Sequence, residues 1–499
     1  MFFIKIRYYF NFNKSGIINK FKMTKSNNKK IIFLNTVFVI SETIINKFAF
    51  FIINIIVSRY LKEVKFGEYA TALGFATYFA MFSDIGINTT LVRMIIKDPE
   101  HERNHITNAF LIKTGLAVLS YIALCISLYF IYYPTGEFDI IYLTLIFGVV
   151  RIGNDFMSTF YAIFTAHDKF RNSTIINSCF SILFLLSTAL VVFFAGNYYH
   201  IALSRMLIVI AFTTAFIIYV TKKYVFCFSF TKFREFLHFA FFFGLGNVIQ
   251  NSLYRLNVML VPVLTAPIYG GYFSNAFIFY SSLIFVPGGL GRVLISYLYK
   301  HKEDKNKYQF VYDTYSKILI ILSFYIAMIT FFYAEEIITL IYGSKFLLSA
   351  LPLKIIALAI PSLFIISDSI MTGMDKQKER THILIKALIV NVILNAVLIK
   401  LFAMTGAAVA VIATQVFLSF SYTWYLKKNR IIEFRKHFIN VAKMLTIAGI
   451  CAAVNYYLTQ GLNPVLGGIT ISAVYLLLVM CIIFEKDDIR IIKNIIGKK

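Results

Sequence analysis

Six charged side chains, Glu42, Lys47, Asp84, Arg151, Asp155 and Arg255, stand deep inside long apolar runs. On insertion scales a charge at such a place costs about 2.5 to 3.5 kcal/mol, so each calls for a partner, a wet cavity or a task. Arg151 and Asp155 are four residues apart, which puts them on one helix face where they can neutralise each other. Thr43, Lys47 and Asn54 share a second face, and Asn247, Asn251 and Arg255 form a similar polar stripe. Amides and cations aligned on otherwise apolar helices read as walls of a hydrated groove, and a groove biased toward cations takes an anion. Arg292 is counted with it, because it follows Pro287-Gly288-Gly289, a break that can line a cavity or act as a hinge. Glu42, Asp84 and Asp155 are the candidates for a coupled proton or sodium ion. Arg93, Lys113, Lys386 and Lys443 lie nearer the cytoplasmic ends of their runs and read as anchors whose long stems reach the headgroups.

The elements that must hold these residues are membrane helices. Hydrophobic residues make up 59% of the chain and charged ones 15%, a balance that would leave a soluble protein insoluble. About fourteen apolar stretches are long enough to cross a bilayer, the first over 31–57 and the last over 463–484. The termini and even-numbered loops carry about 33 Lys and Arg against about 5 in the odd-numbered loops, so both termini are expected in the cytoplasm. The net charge of +25 is spread over short clusters such as Lys222-Lys223 and Lys427 to Arg430, which fits orientation and anionic lipid rather than nucleic acid. The first apolar run exceeds a signal-peptide core and is expected to stay as the first helix, with Met23 an alternative start to Met1. Five dispersed cysteines suggest neither a disulfide framework nor a metal site, the histidines are read as scattered, and no cofactor or metal is expected.

The chain also repeats. Gly67, Tyr69, Asn54, Leu61, Gly86, Lys97 and Glu100 recur at an offset of 203 as Gly270, Tyr272, Asn257, Leu264, Gly289, Lys300 and Glu303. Thr165 to Lys169 recurs at an offset of 207 as Thr372 to Lys376. Six spans therefore correspond to six, in the same orientation, with a site expected between the two copies near the midplane. The expected organisation is a basic segment over 1–30, a six-helix lobe over 31–221, a linker over 222–236, a second lobe over 237–426, a basic loop over 427–437, an appended helix pair over 438–484 and a tail over 485–499. The fold class is an all-α polytopic membrane protein.

Phe66 to Tyr69, Ser83 to Asn88 and Leu91 to Arg93, with Ile341 to Gly343, Met371 to Lys376 and Asn391 to Ala408, resemble the polysaccharide-export flippases of the multidrug/oligosaccharidyl-lipid/polysaccharide (MOP) superfamily over about residues 30 to 430. The resemblance implies a cargo of polyprenyl-pyrophosphate-linked oligosaccharide, moved to the outer leaflet of a bacterial cytoplasmic membrane, with membrane lipids and polysaccharide polymerase machinery as partners. Many members carry an acid near the place of Asn257, where this chain is neutral, which weakens any cation-coupling role there. A flippase for the peptidoglycan precursor and a cation-coupled multidrug exporter are the alternatives within the superfamily. An enzyme is not expected, since no external loop is large enough to carry a catalytic constellation.

Overall fold

The computed structural model describes residues 25–223, 227, 229–283, 287, 304–365, 367–374, 376–458 and 463–483, with side chains from residue 38 onward apart from 231, 242, 243 and 307. Every regular element among them is helical. Nine helices there are long and apolar enough to cross a membrane, and one bent pair over 344–373 would make a tenth. The chain is thus an all-helical, multi-pass membrane protein. Two of these helical stretches, 60 and 52 residues long, far exceed the ~20 residues that a crossing needs and are broken inside, at Lys62 and Ala403.

The chain forms two compact units, residues 1–271 and 272–499. The first contains α1 (Lys25–Ala80, kinked at Lys62), α2 (Ile87–Lys97), α3 (Glu102–Ile131), α4 (Phe138–Ala166), α5 (Phe170–Phe193), α6 (Tyr198–Lys223) and α7 (Phe230–Leu264), and ends inside α8 (Pro267–Ser282). The seventh long helix therefore packs with the preceding six. Backbone contact explains how tightly. Helix breaks need a cause, and between α1 and α2 it is Gly86, whose φ of 72° is the left-handed region that glycine enters without strain. A Cβ on Gly86 would lie 2.5 Å from the Cα of Gly244 in α7, and one on Gly244 would fall on the carbonyl of Ile85. The span that begins in α1 is thus interrupted where α7 crosses it, and the interruption turns Asp84 into a cap: its Oδ1 accepts the backbone N–H of Asn88, 3.2 Å away, in the first turn of α2.

At the end of α2 that carries the basic loop, Asp98 gathers three elements. Its Oδ2 accepts from Lys232 Nζ of α7 at 2.7 Å, its Oδ1 lies 2.9 Å from His101 Nδ1, and His105 Nε2 of α3 is 3.4 Å away. His101-Glu102-Arg103-Asn104-His105 is a His-x-x-x-His spacing that the reading of scattered histidines passed over; here its imidazoles flank Asp98, whose second oxygen is taken by an ammonium. Lys232 and then His101 hold the Asp98 carboxyl well below the usual carboxylate range. A depressed acid stabilises the fold fully above its unfolded value near 4 and loses that contribution as pH falls toward the folded value. The coupling between Asp98→Asn and Lys232→Gln in thermal unfolding is expected to be constant from pH 7 to pH 5 and to shrink progressively below about pH 4. A coupling that grew with acidification would contradict the pairing.

The second unit holds the remainder of α8, α9 (Lys305–Phe332), α10 (Ala334–Tyr342), α11 (Ala350–Ala357), the short α12 (Ile360–Leu363) and α13 (Ser367–Gly373), α14 (Gln377–Lys428), α15 (Arg435–Leu458) and α16 (Pro464–Ile482). The last two helices dock on α9 through a core that includes Ile320, Phe324, Met328, Met444, Ile447, Cys451, Ile471 and Tyr475. Polar pins fix the register: His437 Nδ1 lies 2.6 Å from Ser316 Oγ, and Tyr325 meets Ser472 at 2.9 Å. Within α14, Asn391 Nδ2 donates to Thr414 Oγ1 across the kink at 2.9 Å, and Arg380 pairs with Asp368 of α13.

Ala195, between α5 and α6, and Ala403, at the kink of α14, both have positive φ, 54° and 51°. At Ala403, ψ of −132° puts the residue in a region nearly reserved for glycine, costing about 1 to 3 kcal/mol. Ala403→Gly is expected to raise stability by about 1 kcal/mol after the added freedom of the unfolded chain is subtracted. A lower unfolding midpoint would show that the turn is not strained.

Candidate functional site

Three antiparallel or parallel neighbours, the broken span α1–α2, α3 and α4, meet around one ammonium. Lys113 of α3 is 0% exposed. Its Nζ donates to Thr159 Oγ1 at 2.7 Å, Asn88 Oδ1 at 3.3 Å and Ser158 Oγ at 3.4 Å, and lies 3.9 Å from Asp84 Oδ2. Asn88 Nδ2 in turn donates to Ser158 Oγ at 2.6 Å, and Ser83 Oγ is 2.6 Å from Asp155 Oδ2. Both carboxylates, Asp84 and Asp155, act electrostatically on Lys113. Lys113 is therefore no headgroup anchor. It sits eleven residues inside α3, too deep for its stem to reach a helix end, and it satisfies its donors within the bundle.

A second cluster adjoins the first through Asp155. Arg151 of α4 lies within the electrostatic range of Arg255 of α7, Arg205 of α6, Asp155 and Tyr69, and Arg255 within that of Asp155. The meeting of α4 and α6 follows from Gly153, whose missing side chain admits Val209. Arg205 is 4% exposed, with its guanidinium 5.8 Å from the Tyr69 ring centre and 5.9 Å from that of Phe184. The two clusters together set Lys113, Arg151, Arg205 and Arg255 against Asp84 and Asp155, a clear cation excess. Arg151 and Asp155 share a face as their spacing requires, yet Asp155 spends one oxygen on Ser83 rather than closing an ion pair with Arg151.

Other expected site residues lie elsewhere. Lys47 is exposed, between exposed Ile44 and Phe48, and makes no hydrogen bond or ion pair among the described residues. Asn54, on the same stripe, is buried, while Asn251 is exposed one turn before the half-buried Arg255. Glu42 is bound to α5, accepting from Asn177 Nδ2 at 2.6 Å and Thr174 Oγ1 at 3.1 Å, and the next turn repeats the bridge with Ser181 Oγ to Asn46 Oδ1 at 2.6 Å. Arg292 lies outside the described residues. Arg205 escaped the sequence reading altogether; the available signal was a lone cation within an apolar run, the same signal that singled out Arg255. Among the described residues no cluster of His, Cys, Asp and Glu is arranged to hold a metal ion.

Comparison with known proteins places this arrangement. A family model described as polysaccharide biosynthesis protein matches residues 56–351. No curated protein matches the chain. The fold is similar to a solved structure of the lipid II flippase MurJ in an inward closed conformation, with a TM-score of 0.69 and 16% identity over 89% of this chain and 97% of that one. It is also similar to an inward-facing multidrug resistance MATE family transporter of the MOP superfamily, with a TM-score of 0.62 and 14% identity over 80% and 94%. A third similar structure is a MOP superfamily transporter from Pyrococcus furiosus, whose title reports reverse polarity of its binding pocket, with a TM-score of 0.53 and 13% identity over 81% and 96%.

Proposed function

We propose that this chain, which belongs to the polysaccharide biosynthesis protein family, moves a polyprenyl-pyrophosphate-linked oligosaccharide from the cytoplasmic to the outer leaflet of a bacterial cytoplasmic membrane, with both termini in the cytoplasm. Family and fold are those of transporters, not of enzymes. The observation that carries the reading is the cation excess in the first unit, where Arg151 and Arg255 share the field of one carboxylate, Asp155, and Arg205 lies near Arg151. Pyrophosphate and sugars cannot cross hydrocarbon unsolvated. Fixed guanidiniums replace part of the lost hydration while the polyprenyl tail stays in the bilayer, and alternating exposure of the groove to the two faces completes the transfer.

In this reading Arg151, Arg255, Lys47, Asn54 and Asn251 of the first unit bind the headgroup, and Glu42, Asp84 and Asp155 are the sites for a coupled ion. Membrane potential assists, since each negative charge moved outward gains about 2.3 kcal/mol per 100 mV. A multidrug exporter of the same fold, taking organic cations, would call for an excess of carboxylates instead. The fold likeness to a lipid II flippase favours a second reading, transfer of the peptidoglycan precursor, which has the same headgroup chemistry. A deletion strain separates them: a lipid-linked surface-polysaccharide unit is expected to accumulate on the cytoplasmic side, whereas accumulation of peptidoglycan precursor would favour the second reading and no accumulated lipid would refute both.

A further inference from the structure

Inside the first unit, three donor groups are buried together without partners. Arg205 Nε and Nη2, Arg151 Nε and the Tyr69 hydroxyl are inaccessible and make no hydrogen bond among the described residues. Tyr69 is 2% exposed and packs edge-on against Phe147 of α4, 5.1 Å between ring centres, while its face carries the Arg205 guanidinium. Helices α1 and α6 therefore bring a hydroxyl and a guanidinium together, with the partly buried Arg151 of α4 near enough to act electrostatically on both. Arginine does not shed its proton to escape burial as a lysine can, and an aromatic face offsets only part of a desolvated guanidinium. The acid on the same stretch of α4, Asp155, faces Ser83 and the Lys113 network. Arg205 itself has no acidic partner and no hydrogen bond among the described residues.

We propose that Arg205, Arg151 and Tyr69 form a binding site for a compact inorganic anion of the halide class, held as a resident counter-ion between α1, α4 and α6. The three groups are all donors, matched to an acceptor-only ligand. Tyr69 packs on Phe147, and the Arg205 guanidinium lies by the rings of Tyr69 and Phe184, a crowded aromatic surrounding that suits a single-atom anion rather than a pyrophosphate with its lipid chain. The site shares Arg151 with the headgroup groove and in that respect rests on the proposed function, but its readout is stability rather than transport, so the two fail separately.

The test uses the full-length protein in detergent, with thermal unfolding measured in sodium gluconate and then with chloride, bromide or pyrophosphate added at matched ionic strength. A saturable rise in the midpoint of about 2–4 °C is expected with chloride and bromide, as for any ligand bound only by the native state. That rise should vanish in Arg205→Gln and weaken in Tyr69→Phe. Should Arg205→Gln fail to fold, crystals of the unaltered protein grown in bromide decide the matter: an anomalous peak within hydrogen-bond distance of Arg205 Nε is expected. Equal midpoints in gluconate and halide with no such peak overturn the proposal, and so does stabilisation by pyrophosphate alone, which would assign these donors to the cargo headgroup.

Discussion

Arg255→Ala and Arg151→Ala are each expected to abolish polysaccharide export while leaving the protein at near-normal abundance. The reason lies in the charge inventory. Removing either guanidinium leaves Asp155 with the other and with Lys113, so no carboxylate is stranded, and folding has little cause to fail. Transport is different, because an anionic headgroup loses a charged donor for which a water molecule is a weaker substitute. Arg255→Lys should recover part of the activity, since charge is kept while the planar fork is lost. Lys47→Ala tests the outlying member: its exposed position and lack of partners predict normal folding, so lost export would tie it to cargo directly. If the arginines only balance charge within the bundle, abundance falls in Arg255→Ala and is restored by adding Asp155→Asn. Immunoblot abundance and surface-polysaccharide yield, measured on the same cells, separate the two outcomes.

Lys113→Met should behave in the opposite way. This ammonium is fully buried, and its loss leaves Asp84 and Asp155 facing each other's field with the polar groups of Asn88, Ser158 and Thr159 unfilled. Breaking such a pair costs about 3 to 5 kcal/mol, a large share of the stability of any domain. Abundance should collapse before transport can be assayed. Asp84→Asn in the same chain should restore part of it by removing the stranded charge. A well-expressed Lys113→Met protein with a normal unfolding midpoint would show that the network is not structural.

Much of the fold was legible because a bilayer imposes a length and a polarity that no soluble fold shares. The apolar runs and the importance of Ser83 to Asn88 are both visible in the residues. What spacing could not reveal is which helix lies on the other side. Gly86 breaks its helix because Gly244, far along the chain, presses on it, and neither glycine announces the other. Lys113 was misjudged because distance from a helix end gives depth but not the face, and its face turns to Asn88 and Thr159 rather than to lipid. Lys47 and Asn54 share a stripe by periodicity, yet one is exposed and the other buried, because the neighbours of α1 change along its length. Arg205 was missed although it is a lone cation in an apolar run, because no polar residue three or four places away extends it into a stripe, and its significance comes from Tyr69 and Arg151 on other helices.

The claim that this chain carries lipid-linked oligosaccharide across the bilayer is tested most directly in proteoliposomes. A fluorescent polyprenyl-pyrophosphate oligosaccharide is placed in the inner leaflet, and its appearance outside is followed by a membrane-impermeant lectin or quencher. The account predicts protein-dependent transfer for the unaltered chain and none for the Arg151→Ala, Arg255→Ala double variant reconstituted at equal density. Equal transfer by the two proteins would contradict the cationic-groove mechanism, and no transfer by the unaltered protein under an applied potential would contradict the assigned function.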